Sequence, residues 1–203
     1  MNEYIGKISA FYFKYGIKSV TMDDLARELG VSKKTLYQHY NDKEDVVFNV
    51  IQHHIINQQQ EIKEILKDKE YNAIDHLLHM SRYISENIKN MNPSITYDLQ
   101  KYYPNAWKKL MKFKREHVYK KIMENISKGI KEDLYQKNLN YEIITSIYVN
   151  MMEIFSGGKY AELKKFSNEE IFRTLFIYHI RGICNENGNK YLNKKLKESK
   201  ELL

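Results

Sequence analysis

Residues 21–47 read TMDDLARELGVSKKTLYQHYNDKEDVV, and two short apolar stripes meet in them across a glycine. Leu25, Ala26 and Leu29 recur at the spacing of one helix face and stop at Gly30, while Val31, Leu36 and Tyr40 face inward from a second helix. Thr21, with Asp24 three residues on, starts the first helix as a capping-box-like pair, and Ser32 is placed to cap the second. A small alanine lets two helices cross closely, and a glycine takes the tight left-handed turn that a Cβ would oppose. Val31 and Leu36 then pin the second helix to the first, so the spacing predicts a helix-turn-helix. Further out, Ile5, Ile8, Phe11, Tyr12 and Tyr15 recur at helical spacing and end at Gly16. Asn41, with Glu44 at the third position, caps a following helix whose buried stripe is Val46, Val47, Val50 and Ile51.

The outward residues of the second helix sharpen this reading. Lys33, Lys34, Thr35, Tyr37, Gln38 and His39 include no acid, although residues 1–50 carry seven acids and seven bases, a net charge of zero. A recognition helix enters the major groove N-terminus first, where acids would repel phosphates and Lys, Thr and Gln can bond to base edges. Thr21, Ser32 and Lys43 lie at or near helix N-termini, where backbone N–H groups and side chains together hold phosphate. The expected DNA-binding residues are therefore Thr21, Ser32, Lys33, Lys34, Thr35, Tyr37, Gln38, His39 and Lys43. The net charge of +7 on 203 residues does not itself announce nucleic acid, because its surplus lies in Lys108–Lys121 and Lys190–Lys200, which read as solvated helix faces.

On Phe11, Tyr12, Gly16, Thr21, Leu25, Ala26, Gly30-Val31-Ser32, Thr35-Leu36-Tyr37, Tyr40 and Lys43, the chain resembles the tetracycline-repressor (TetR) family of bacterial regulators. The resemblance covers about residues 5–50. Two residues depart from the family pattern: Lys34 stands where glycine is common, and His39 where an aromatic ring is frequent. What the resemblance implies is a homodimer of mostly helical subunits, a variable C-terminal ligand pocket, and repression of an operator relieved by a small molecule.

The rest of the chain fits an all-α fold. Only 8 Gly and 2 Pro interrupt 203 residues, and 42% are hydrophobic, enough to bury a core. The expected division is a DNA-binding domain over residues 1–48 and a larger helical bundle over 49–203 that senses ligand and dimerises. Helices are expected over 42–67, 71–89 and 105–130, with a short one between Pro93 and Pro104. The segments 141–155 and 168–184 carry apolar stripes too broad for one seam. Ile143, Ile147, Met151, Phe155, Ile171, Leu175, Phe176, Tyr178, His179 and Ile183 are accordingly expected at a dimer interface. Tyr97, Tyr102, Tyr103, Trp107 and Met111 cluster around the prolines and, with Tyr148, are candidates for an apolar ligand pocket.

Other function classes have little support. Cys184, the one cysteine, forms no internal disulfide and reads as a small buried hydrophobe; with no apolar run of spanning length, a cytoplasmic protein without membrane association is expected. His53, His54, His76 and His79 lack the paired spacing of a metal site and read as surface histidines. No phosphate-binding loop or nucleophile elbow occurs, so neither enzyme activity, metal nor cofactor is expected.

Overall fold

The computed structural model describes residues 4–151 and 165–198. Its helices are α1 (Ile5–Tyr15), α2 (Met22–Leu29), α3 (Lys33–His39), α4 (Lys43–Ile65), α5 (Ala73–Asn90), α6 (Ser94–Tyr102), α7 (Pro104–Phe113), α8 (Tyr119–Lys131), α9 (Tyr141–Met151), α10 (Asn168–Ile183) and α11 (Glu186–Glu198). A π-helical turn, Lys114–Val118, follows α7 directly and leads into α8. The helix expected over 105–130 is thus continuous but widened in its middle. Among the described residues there is no strand, only an isolated bridge between Tyr135 and Cys184.

The expected division at residue 48 is not where the chain separates. Residues 1–60 and 90–113 form one compact unit, and 61–89 with 114–203 form a second. The physical reason lies in α6 and α7. Ile95, Leu99, Tyr103, Ala106, Leu110, Met111 and Phe113 share one buried cluster with Ile8, Tyr12, Leu25, Leu36, Val46, Val47, Val50 and Ile51. Three short helices offer little apolar area for a core. The α6–α7 hairpin supplies the missing face.

Polar groups fasten the same hairpin. Asp98, buried on α6, accepts hydrogen bonds at Oδ2 from the backbone N–H of Ile17 (3.1 Å) and of Lys18 (2.8 Å). Asn92 donates its backbone N–H to the Phe13 carbonyl (2.9 Å) and its side-chain amide to that of Lys14 (3.2 Å). Gly16 turns between these anchors with φ +85°, and a Cβ there would lie 2.7 Å from the Ser94 hydroxyl. No other residue meets both the tight space and the positive φ without a shift.

The second unit builds its core from α5, α10, α11 and the loop after α8. Ala73, Ile74, Leu78, Tyr135, Phe172, Phe176, Ile180, Ile183, Cys184 and Leu192 are buried together. A smaller cluster, Ile122, Ile126, Tyr148 and Val149, joins α8 to α9. Buried Asp75 ties the last helix in: Tyr191 donates its hydroxyl to both carboxylate oxygens (2.8 and 2.9 Å), and the Lys195 ammonium lies 3.3 Å away. His76, expected at the surface, is buried, with Nε2 3.1 Å from the Asp68 carbonyl and Nδ1 3.4 Å from the Lys128 ammonium. Cys184 is buried as expected, and burial raises its thiol to about 12.

Candidate nucleic-acid interface

Sequence alone sets up both ends of α2. Thr21 Oγ1 accepts from the Asp24 backbone N–H (3.1 Å), and Asp24 Oδ2 accepts in return from the Thr21 N–H (2.9 Å) and hydroxyl (2.7 Å). These hydrogen bonds also hold the Asp24 carboxyl below its ordinary range. Such a cap contributes about 1 kcal/mol. At the other end Gly30 adopts φ +67°, ψ +30°, and Val31 donates back to the Ala26 carbonyl (3.0 Å). A Cβ at Gly30 would meet nothing within 4 Å, so the left-handed backbone, not space, selects glycine.

That turn delivers α3. Ser32 caps it by accepting from the Thr35 N–H (3.0 Å), and the two hydroxyls lie 2.8 Å apart in a further hydrogen bond. Leu36 and Tyr40 are buried, Thr35 is half-buried, and Lys33, Lys34, Tyr37, Gln38 and His39 are exposed. The acid-free face expected from the sequence is therefore a real exposed face. His39 also meets the Tyr4 ring edge-on, with centroids 5.4 Å apart. Lys33 is less free than its exposure suggests, since its ammonium lies 3.0 Å from Asp23, which raises its pKa.

The start of α4 differs by one residue from expectation. Asp42, not Asn41, caps it, accepting the Asp45 N–H at 2.8 Å, while Asn41 donates to the Asp45 side chain. Lys43 is half-buried; its ammonium donates to the Lys18 carbonyl (3.3 Å) and lies 6.0 Å from the Tyr103 ring centre. Burial first, and then the neighbouring Lys18 charge, lowers its pKa. Thr21, Ser32 and Lys43 thus mark three helix starts in one unit, beside the exposed face of α3. Helix N-termini with their unpaired N–H groups are ready phosphate sites.

Residues 11–50 match the family model for bacterial regulatory proteins of the tetR family. This segment carries the DNA-binding module of the TetR family. It is 25% identical over 165 residues to the HTH-type transcriptional regulator YvaF of Bacillus subtilis, covering 81% of this chain and 86% of that protein. Among solved structures, the regulatory protein TetR from Rhodobacter sphaeroides superposes with a TM-score of 0.70 at 11% identity, over 89% of this chain and 96% of that one. FadR from Bacillus subtilis, solved in complex with stearoyl-CoA, gives 0.63 at 13% identity, over 89% and 97%. These two likenesses concern the fold. The chain is a TetR-type DNA-binding transcriptional regulator, with an N-terminal helix-turn-helix and a helical remainder.

The other expected sites fare unevenly. Of the pocket candidates, Tyr103 and Met111 are buried in the first unit's core, and Trp107 packs against it; they fill space instead of lining it. Tyr97 and Tyr102 are exposed and carry lysine ammoniums on their rings, while Tyr148 belongs to the second unit's core. Of the dimer candidates, Phe176 and Ile183 are interior, because α10 turns that stripe toward α5 and α11. Ile143, Ile147 and Tyr178 are 57%, 53% and 75% exposed, and Ile171, Leu175 and His179 are half-buried. The Met151 side chain and Phe155 lie outside the described residues. Sequence reading missed Asp98, whose only signal was an acid on an otherwise apolar helix face.

Proposed function

We propose that this regulator is a cytoplasmic repressor that holds its operator as a homodimer and releases it when a small, mostly apolar molecule binds. Thr21, Ser32 and Lys43 hold phosphates, and Lys33, Lys34, Thr35, Tyr37, Gln38 and His39 face the major groove. The observation that carries the release is the grip of α6 on the turn before α2. Asp98 on α6 and Asn92 just before it hold residues 13–18, which end three positions ahead of the Thr21 cap. A molecule that displaces α6, by competing for the apolar face on which Tyr103, Trp107 and Met111 pack, thereby displaces the helix starts that meet DNA. The structural neighbour FadR, with a bound stearoyl chain carried on charged coenzyme A, supports an effector with a long apolar part.

A ligand preferring the displaced state by about 1–3 kcal/mol lowers operator affinity roughly 5- to 150-fold. Linkage requires operator DNA to weaken the ligand by the same factor. The test begins with a gel-shift assay on DNA upstream of the chain's own coding region. A thermal-shift screen of apolar and acyl-chain compounds, stearoyl-CoA included, then supplies candidates for operator titrations. A compound that raises the melting temperature and leaves operator affinity unchanged would show a pocket without a switch.

A further inference from the structure

Lys18, Lys101 and Tyr102 form a charged patch that the helix-turn-helix does not include. The Lys18 ammonium lies 4.3 Å from the Tyr102 ring centre, and that of Lys101 lies 5.3 Å from the same ring. Lys101 also donates to the Tyr97 hydroxyl at 2.7 Å, and Tyr97 meets Tyr102 edge-on. All four residues are exposed. Among the described residues, neither lysine makes an ion pair. The nearest acid on α6, Asp98, is buried and already accepts the Ile17 and Lys18 N–H groups. Tyrosine rings hold the ammoniums in place without cancelling their charge.

The patch is continuous with the helix starts at α2 and α4. Lys18 precedes the Thr21 cap by three residues, and its carbonyl accepts the Lys43 ammonium. The carboxylates at the start of α4 are engaged: Glu44 accepts from Asn105 (2.9 Å), Asp45 from Asn41 and Asn49, and Asp42 from the Asp45 N–H. We propose that Lys18 and Lys101, seated on Tyr102, extend the DNA interface onto α6 and bind the phosphodiester backbone flanking the bases read by α3. The proposal rests on the reading of α2, α3 and the start of α4 as the DNA-facing surface. It gives α6 two roles, gripping the turn before α2 and touching the duplex, so that DNA occupancy bears directly on the helix through which release is proposed to act.

The experiment uses the full-length protein and a duplex selected by it from random sequence, in a form with flanking base pairs and a form trimmed to the read bases. Binding is measured against salt for wild type and for Lys18→Gln, Lys101→Gln and Tyr102→Ala, with Lys131→Gln, at an exposed residue ending α8, as a change of equal charge and thermal melts to confirm folding. On the flanked duplex, Lys18→Gln and Lys101→Gln should flatten the plot of log affinity against log salt by about 0.9 for each phosphate no longer neutralised. Tyr102→Ala should flatten it less, and the trimmed duplex and Lys131→Gln should show no change. A wild-type slope for Lys101→Gln on the flanked duplex, with Thr35→Ala still weakening operator binding, overturns the patch and leaves the helix-turn-helix reading standing. Equal flattening by Lys131→Gln reduces the effect to net charge and also overturns it. If the wild-type protein selects no duplex, the DNA-facing assignment fails, and the patch falls with it.

Discussion

Lys33 and Lys34 are neighbours in sequence with different circumstances, and the difference is testable. Lys33 is held 3.0 Å from Asp23, while Lys34 makes no ion pair among the described residues. An exposed pair contributes no more than about 1 kcal/mol, so a phosphate competes for Lys33 against a weak partner. Asp23→Asn should therefore tighten binding to operator and mixed-sequence DNA alike, by up to roughly five-fold, with a steeper salt dependence. Fluorescence anisotropy against salt checks it, and weaker binding by the variant would place Asp23 in a supporting role instead. Lys43→Ala should flatten the salt plot by about one unit on both DNAs, whereas Tyr37→Ala should weaken operator binding more than mixed-sequence binding. Equal losses on both DNAs at Tyr37 would remove it from base reading. In the second unit, burial holds the His179 imidazole down from 6.5 to about 4, with its ring 4.1 Å from that of Tyr148. Burial likewise lowers His76, whose Nδ1 faces Lys128. Both groups bind a proton less readily folded than unfolded. Stability is therefore full above about pH 6.5 and falls as pH drops from there toward 4. His179→Phe, which keeps an aromatic ring beside Tyr148, should lose less stability over that range than wild type. Urea midpoints across the range measure it, and an unchanged pH slope would assign the acid sensitivity elsewhere.

Among elements, those with local signals are legible in the sequence and those held by distant partners are not. Thr21, Gly30 and Ser32 act within a turn or two of themselves, so their residue types alone announce α2, the turn and α3. The cap of α4 lies one residue from its expected place because Asn41 and Asp42 are both good caps, and only the hydrogen bond from Asp45 decides between them. The broad stripe of α10 is legible as deeply buried, but its burial is against α5 and α11 of the same chain for Phe176 and Ile183. Hydropathy does not reveal which neighbour covers a face. The role of α6 is hidden for the same reason, since its partners lie some eighty positions earlier. Asp98 gives that long-range anchor a measurable value. Asp98→Ala leaves the buried Ile17 N–H without its acceptor, a loss of about 1–3 kcal/mol. It should lower the urea midpoint by the corresponding amount at constant slope, and reduce operator affinity even though Asp98 lies off the exposed face of α3. A variant as stable as wild type would mean that the α6 grip contributes nothing to the first unit.

For the whole molecule, the remaining question is how one helix-turn-helix of modest size holds a specific site. A single module reads few bases, and a two-fold pair reading half-sites about 34 Å apart, one turn of DNA, doubles the interface without new chemistry. The exposed apolar side chains fit such a pair. Ile143 and Ile147 lie four residues apart on α9, hence on one face, and Tyr178 and half-buried Leu175 are close in sequence on α10. Isolated exposed hydrophobics need no explanation, but a helix face carrying several marks a contact surface. In the proposed dimer this face is buried, and a charge placed there would lack a partner. Ile147→Asp should then cost several kcal/mol of association free energy. Its effect on the isolated subunit should be slight, because Ile147 is 53% exposed there. The expected outcome is a well-folded monomer at micromolar concentration by sedimentation, with mixed-sequence binding reduced only to that of one module and operator binding lost. The wild type, in the same run, should sediment as a dimer. A wild-type monomer would remove the dimer, and a dimeric Ile147→Asp would move the interface off α9.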